Sequence, residues 1–212
     1  MKVEIWSDVM CPFCYIGKRN FESALKNFPH RNDIIVEWKS FQLNPDIETD
    51  PARSVNEYLA EHRGITLEQA KRLNDRVAAM AKDVGLEYDF DKAVVANSFD
   101  AHRLSHYAKL HGKQSEMEEK LFKAYFTEGK NTADRETLIQ LAAGIGLDPE
   151  EVREIVNGDR FADDVVKDEY EAQQVGARGV PFFVFNDRYT VSGAQPERLF
   201  LQVLEKIYLE RK

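Results

Sequence analysis

The chain has 212 residues, of which 43% are hydrophobic and 31% charged, and a formal charge of −8. That is enough apolar chain for a sizeable buried core, while scattered basic residues argue against nucleic acid or an anionic membrane surface as partner. No apolar run approaches the roughly 20 residues of a spanning helix, and only two cysteines are present, Cys11 and Cys14.

Residues 3–7 alternate in polarity and read as a strand. The chain enters this strand directly, with no apolar signal core or small-residue cleavage site, so a cytoplasmic protein is expected. Asp8, Val9 and Met10 turn the chain, and Pro12 sits where a first helical turn tolerates proline. An amphipathic helix follows over 13–28, and Pro29 ends it. Residues 34–42 are rich in β-branched and aromatic side chains and form a second strand. These elements make a βαβ unit, which predicts a parallel pair with a right-handed crossover.

From 44 to 175 the pattern is helical. Candidate helices span 54–62, 66–84, 97–111, 115–127, 134–144, 148–157 and 161–174. Thr66 with Gln69, and Ser115 with Glu118, read as capping boxes, and Gly64, Gly85 and Gly112 as stops. The strand pattern returns at 179–185. Asn186-Asp187 turns it, 189–192 is the partner strand of a hairpin, and 195–211 is a closing helix with Pro196 in its first turn. The order β-α-β … β-β-α is the thioredoxin arrangement. The expected fold is therefore α/β: a thioredoxin-like domain of residues 1–43 and 176–212, with an all-helical domain of 44–175 inserted between the second and third strands.

The cysteines stand at the start of the first helix, spaced Cys11-Pro12-Phe13-Cys14. A thiolate there meets unpaired N–H groups and the positive end of the helix dipole, and thiols in such settings ionise in a range of roughly 3.5 to 7.5. A bridge over two residues closes almost no loop, so a structural staple gains little. Cys11 is expected to be exposed and nucleophilic. Cys14, a turn further in, is expected to stay protonated until it resolves a mixed disulfide. Structural zinc is the competing reading, because His102 and His106 share a helical face. They lie far along the chain from Cys14, and only the tertiary fold could gather four ligands.

Pro181 marks an edge or a bend in its strand. A cis Val180–Pro181 bond would leave the Val180 backbone free to pair with a substrate, whereas a trans proline at an edge-strand start is equally compatible with the sequence. His102 reads by default as a solvated surface histidine, the alternative being a proton shuttle facing Cys11. Trp6 reads as a core residue with an edge in the cleft, and Asp8 as a loop cap. Phe13 brings no charge to the site.

Three segments resemble the DsbA-like thioredoxin family: residues 7–17 around the cysteines, 97–104 with Ala101-His102-Arg103-Leu104, and 179–184 with Gly179-Val180-Pro181. The closest branch resembles FrnE, the cytosolic disulfide oxidoreductases. The resemblance implies Cys11 as nucleophile, Cys14 as resolving thiol and a cis Pro181 opposite them. Val180, Pro181, Pro12, Phe13, His102 and Trp6 would flank the substrate, which would be a protein or low-molecular-weight disulfide or thiol. It implies no metal or organic cofactor, allows glutathione as co-substrate, and leaves a homodimer open. The chain is also similar to 2-hydroxychromene-2-carboxylate isomerases and kappa-class glutathione transferases. These usually carry serine where Cys11 stands and lack the second cysteine. A glutathione carboxylate could dock at residues 192–195, where an ordinary strand-to-helix turn is the plainer reading.

Overall fold

The computed structural model describes residues 1–210. Strand β1 (Lys2–Ser7) leads into helix α1 (Pro12–Asn27) and strand β2 (Ile35–Ser40), with a turn of 3-10 helix at Arg31–Asp33 before β2. β1 and β2 are parallel, Val3 facing Val36 and Ser7 facing Ser40. Strands β5 (Phe182–Phe185) and β6 (Tyr189–Ser192) complete a four-stranded sheet of order β2-β1-β5-β6, with β5 antiparallel to both neighbours. Asn186 and Asp187 have φ of 49° and 54°. Two consecutive left-handed residues match the right-handed twist of the flanking strands, and Asn and Asp tolerate that region. Helix α9 (Glu197–Leu209) packs on α1. The expected end of this last helix at Arg211 lies outside the described residues.

Between β2 and β5 run helices α2 (Val55–Arg63), α3 (Leu67–Asp83), α4 (Phe99–Leu110), α5 (Gln114–Phe126), α6 (Arg135–Ala143), α7 (Pro149–Asn157) and α8 (Ala162–Gln174). The Thr66–Gln69 capping box opens α3 as expected, and a second box, Ser54 with Glu57, opens α2. Among the described residues no helix is long and apolar enough to cross a membrane.

Two expectations for this segment fail. It is not all helix: β3 (Asp50–Ser54) pairs antiparallel with β4 (Val94–Val95) in a separate two-stranded ribbon. β4 is too short for any alternation to register, and the partners lie some forty residues apart, so nothing local marks them. Ser115 does not cap α5 either. The helix begins one residue earlier, after Lys113, and has no side-chain cap. Ser115 Oγ instead accepts the Trp38 indole N–H at 3.0 Å. Gln114 accepts from the Trp38 amide at 3.0 Å and donates to the Trp38 carbonyl at 2.9 Å. β2 is an edge strand, and Gln114 satisfies its open backbone groups as a neighbouring strand would. A tertiary demand has overridden the local capping signal.

The main core cluster runs without a break from Val3 and Ile5 on the sheet, through Phe21 of α1, into Leu121, Phe122 and Val152 of the helical segment. Phe21 lies 5.6 Å from the ring of Phe183 and 5.5 Å from that of Phe200, and Phe183 and Phe200 are 4.6 Å apart. All three are fully buried. Removing one such ring would cost about 3–5 kcal/mol.

α1 and α5 are also joined by charge. Glu119 binds the Lys18 ammonium at 2.6 Å and the Tyr15 hydroxyl at 2.6 Å, and forms a two-pronged pair with Arg19. Burial would raise the Glu119 carboxyl, but Arg19 and Lys18 more than offset this and hold it at about 2. A carboxylate depressed in the folded state stabilises the fold above its unfolded value and stops doing so as pH falls through the folded one. Glu119→Gln is therefore expected to lose stability at neutral pH, with its deficit against wild type shrinking between pH 4.5 and 2. Thermal melts across that window check it; a deficit independent of pH would contradict it.

Candidate active site

β1 ends at Ser7, and the chain turns through Asp8 so that Cys11 becomes the N-cap of α1 with Pro12 in the first turn. The Cys11 amide donates to the Asp8 carbonyl at 3.0 Å, and the Cys14 amide to the Cys11 carbonyl at 3.0 Å. Both cysteines are free. Burial, reinforced by the adjoining Cys11 sulfur, pushes the Cys14 thiol well above the usual cysteine range, so it is held protonated. The Cys11 thiol donates to the Val180 carbonyl at 3.4 Å. The Val180–Pro181 bond is cis. The Val180 N–H has no acceptor among the described residues.

The close approach of α1 to this loop depends on Gly17. A Cβ there would stand 3.0 Å from Pro181 Cγ and 3.5 Å from Phe183 Cζ. From the helical segment Tyr88 reaches in, donating its hydroxyl to the Pro12 carbonyl at 2.7 Å, and its ring is 6.1 Å from that of Tyr15. Tyr88 was invisible to sequence reading, since a lone tyrosine in a loop after α3 carries no local signal of its partner.

Asp8 is fully buried. Its carboxylate accepts from the Met10 amide at 3.2 Å and the Leu43 amide at 2.7 Å, which makes it the loop cap the sequence suggested. His102 corrects its surface reading: it is 2% exposed, and its Nε2 lies 3.5 Å from Asp8 Oδ1. Residues 101–108 of α4 are all buried, so this central helix has no solvated face there to hold it. Burial disfavours the imidazolium, yet the Asp8 carboxylate outweighs this and raises the His102 pKa. His106 goes elsewhere, 3.0 Å from Asp168 Oδ2 and 3.1 Å from Ser40 Oγ. The two histidines thus serve different carboxylates.

Trp6 also departs from expectation. It packs with Ala172, Phe182 and Val184 in a second cluster, separate from the cysteines, and donates its indole N–H to the Asp168 carbonyl at 2.8 Å. Alternation along β1 turns it to the sheet face opposite Ile5. No edge of it lines the cleft.

Cys11 is only 3% exposed, not open on the surface as expected. It lies instead on the wall of a cavity of about 520 Å³, together with Pro12, Phe13 and Val180. The opposite walls come from α2, α3, β4 and the end of α5, including Leu73, Val77, Phe90, Val95, Tyr125 and Phe126. The structure thus brings together Cys11, Cys14, Pro12, Phe13, Val180 and Pro181, and leaves Trp6 and His102 out of the cavity.

This geometry, a dithiol at a helix start facing a cis proline, agrees with a comparison of known families. The model for the DSBA-like thioredoxin domain matches residues 2–205. The chain belongs to that family. A DsbA-like chain of this kind is 42% identical to a probable DsbA oxidoreductase from Streptomyces coelicolor, covering 100% of this chain and 92% of the other with a TM-score of 0.94. More distant DsbA-like folds include the cytosolic disulfide reductase DsbM from Pseudomonas aeruginosa with GSH, at 16% identity, TM-score 0.69 and coverage of 98% and 99%. A 2-hydroxychromene-2-carboxylate isomerase matches at 15% identity, TM-score 0.70 and coverage of 100% and 97%. At such identity these two share the fold.

Proposed function

We propose that the protein is a thiol–disulfide oxidoreductase in which Cys11 attacks and Cys14 resolves. The observation that carries this is the pair itself: two free thiols one turn apart at the start of α1, only the first of which lines a cavity. The Cys11 thiolate attacks one sulfur of a substrate disulfide, that S–S bond breaks, and one substrate thiolate leaves. The Cys14 sulfur, after losing its proton, attacks Cys11 and releases the second thiolate. Two electrons pass to the substrate and a Cys11–Cys14 disulfide remains. A low-molecular-weight thiol such as glutathione returns the pair to the dithiol. The chemistry calls for no metal.

Tyr88 and Gly17 fix the backbone that presents Cys11 at the start of α1. The bond from Cys11 to Val180 requires the sulfur proton. A substrate N–H that takes over the Val180 carbonyl would release the sulfur for attack, while the free Val180 N–H would pair with a substrate carbonyl. Having no cysteine beyond this pair suits a reducing compartment such as the cytosol.

Insulin reduction driven by glutathione tests the reading. Activity should vanish in Cys11→Ala and fall strongly in Cys14→Ala. Glutathione conjugation to an electrophile that survives Cys14→Ala, with no insulin reduction by wild type, would replace the reading with a transferase.

A further inference from the structure

We infer that the preferred substrate is a low-molecular-weight disulfide bearing a compact apolar or aromatic group, which fills the cavity beside Cys11 with an anionic end toward Arg63. This rests on the thiol–disulfide reading and narrows its substrate class. The attacking sulfur is nearly buried and opens on the cavity, so a disulfide must bring a group into that space to reach it.

The volume of about 520 Å³ falls in the range of small-ligand sites and far exceeds the voids that close packing leaves. Its lining is mainly aliphatic and aromatic, and Phe90, Val95, Tyr125 and Phe126 are buried already. An apolar guest therefore gains burial at little ordering cost to the protein. The polar groups are few. Asn74 gives its amide to Asn56 Oδ1 at 2.8 Å, and Asn44 donates to the Tyr58 hydroxyl at 2.9 Å. Arg63 and His62, at the end of α2, line the site and are exposed. Arg63 has no ion pair among the described residues. An exposed cation beside an apolar chamber suits a carboxylate on the outer end of the guest.

The test is the rate of single-turnover exchange between the reduced protein and four oxidants: dithiobis(nitrobenzoate), uncharged dithiodipyridine, bis(hydroxyethyl) disulfide and insulin. Each rate is divided by that of glutathione with the same oxidant, which removes the intrinsic reactivity of aryl disulfides. Wild type should favour both aryl disulfides over bis(hydroxyethyl) disulfide by about tenfold on this scale. Val77→Trp, which fills the chamber, should erase that preference. Arg63→Ala, at an exposed position, should slow dithiobis(nitrobenzoate) by about threefold and leave dithiodipyridine unchanged. If Val77→Trp does not fold, Leu73→Phe makes the same comparison. Normalised rates equal for all four oxidants, or a loss on insulin as large as on the aryl disulfides, would overturn the inference. Cys11 inert to every oxidant would overturn the redox reading beneath it.

Discussion

Cys11→Ser is expected to lower the rate of disulfide exchange by about a thousandfold or more, because a covalent path is removed and not merely slowed. Cys14→Ser should retain the first step, attack on substrate, and lose the second. The asymmetry follows from position. Both sulfurs share one helical turn, but Cys11 is the N-cap and borders the cavity, whereas Cys14 is inside α1, 1% exposed and held protonated by burial. Iodoacetamide at neutral pH should accordingly modify a single cysteine, mapped by peptide mass to Cys11. Equal labelling of both would contradict the assignment of roles.

The second large effect lies behind the site. Asp8→Ala is expected to destabilise the fold by about 3–5 kcal/mol, since removing one partner of a buried pair strands the other. Two groups lose an acceptor, the Met10 amide and the Leu43 amide, and His102 loses the carboxylate 3.5 Å from its Nε2. The first two hold the turns around Cys11 and the exit from β2, so exchange activity should fall with stability. Asp8→Asn keeps one acceptor oxygen, enough for one of the two amides, and removes the charge. Because the His102 pKa is raised in the folded state, the pair stabilises below the unfolded histidine value of about 6.5 and ceases to do so as pH rises through the folded one. Denaturant titrations of wild type and Asp8→Asn should therefore differ more at about pH 5.5 than at about pH 9. A gap that widens toward alkaline pH would refute the ion pair.

Much of this was legible in the sequence where the signal is local. Cysteine spacing, Pro12, the capping box of Thr66 and the Asn186-Asp187 turn are each written within a few residues, and each stands in the structure as read. The parallel β1–β2 pair followed from reading residues 3–42 as a βαβ unit. What escaped was long-range. The β3–β4 ribbon, the claim of β2 on Gln114 and Ser115, and the clamp from Tyr88 to Pro12 join residues distant in sequence. His102 misled because helical periodicity marks one buried stripe, while α4 is packed on several sides. The burial of Cys11 escapes the sequence for the same reason: the chamber around it is built by segments some thirty to one hundred and seventy residues away.

Covalent trapping tests the division of labour between the two sulfurs most directly. Cys14→Ser and Cys11→Ser, each reduced and then exposed to bis(hydroxyethyl) disulfide, are digested and mapped by mass. The account predicts a stable mixed disulfide on Cys11 in the first variant and almost none in the second. An adduct that forms as readily on Cys14 would contradict it.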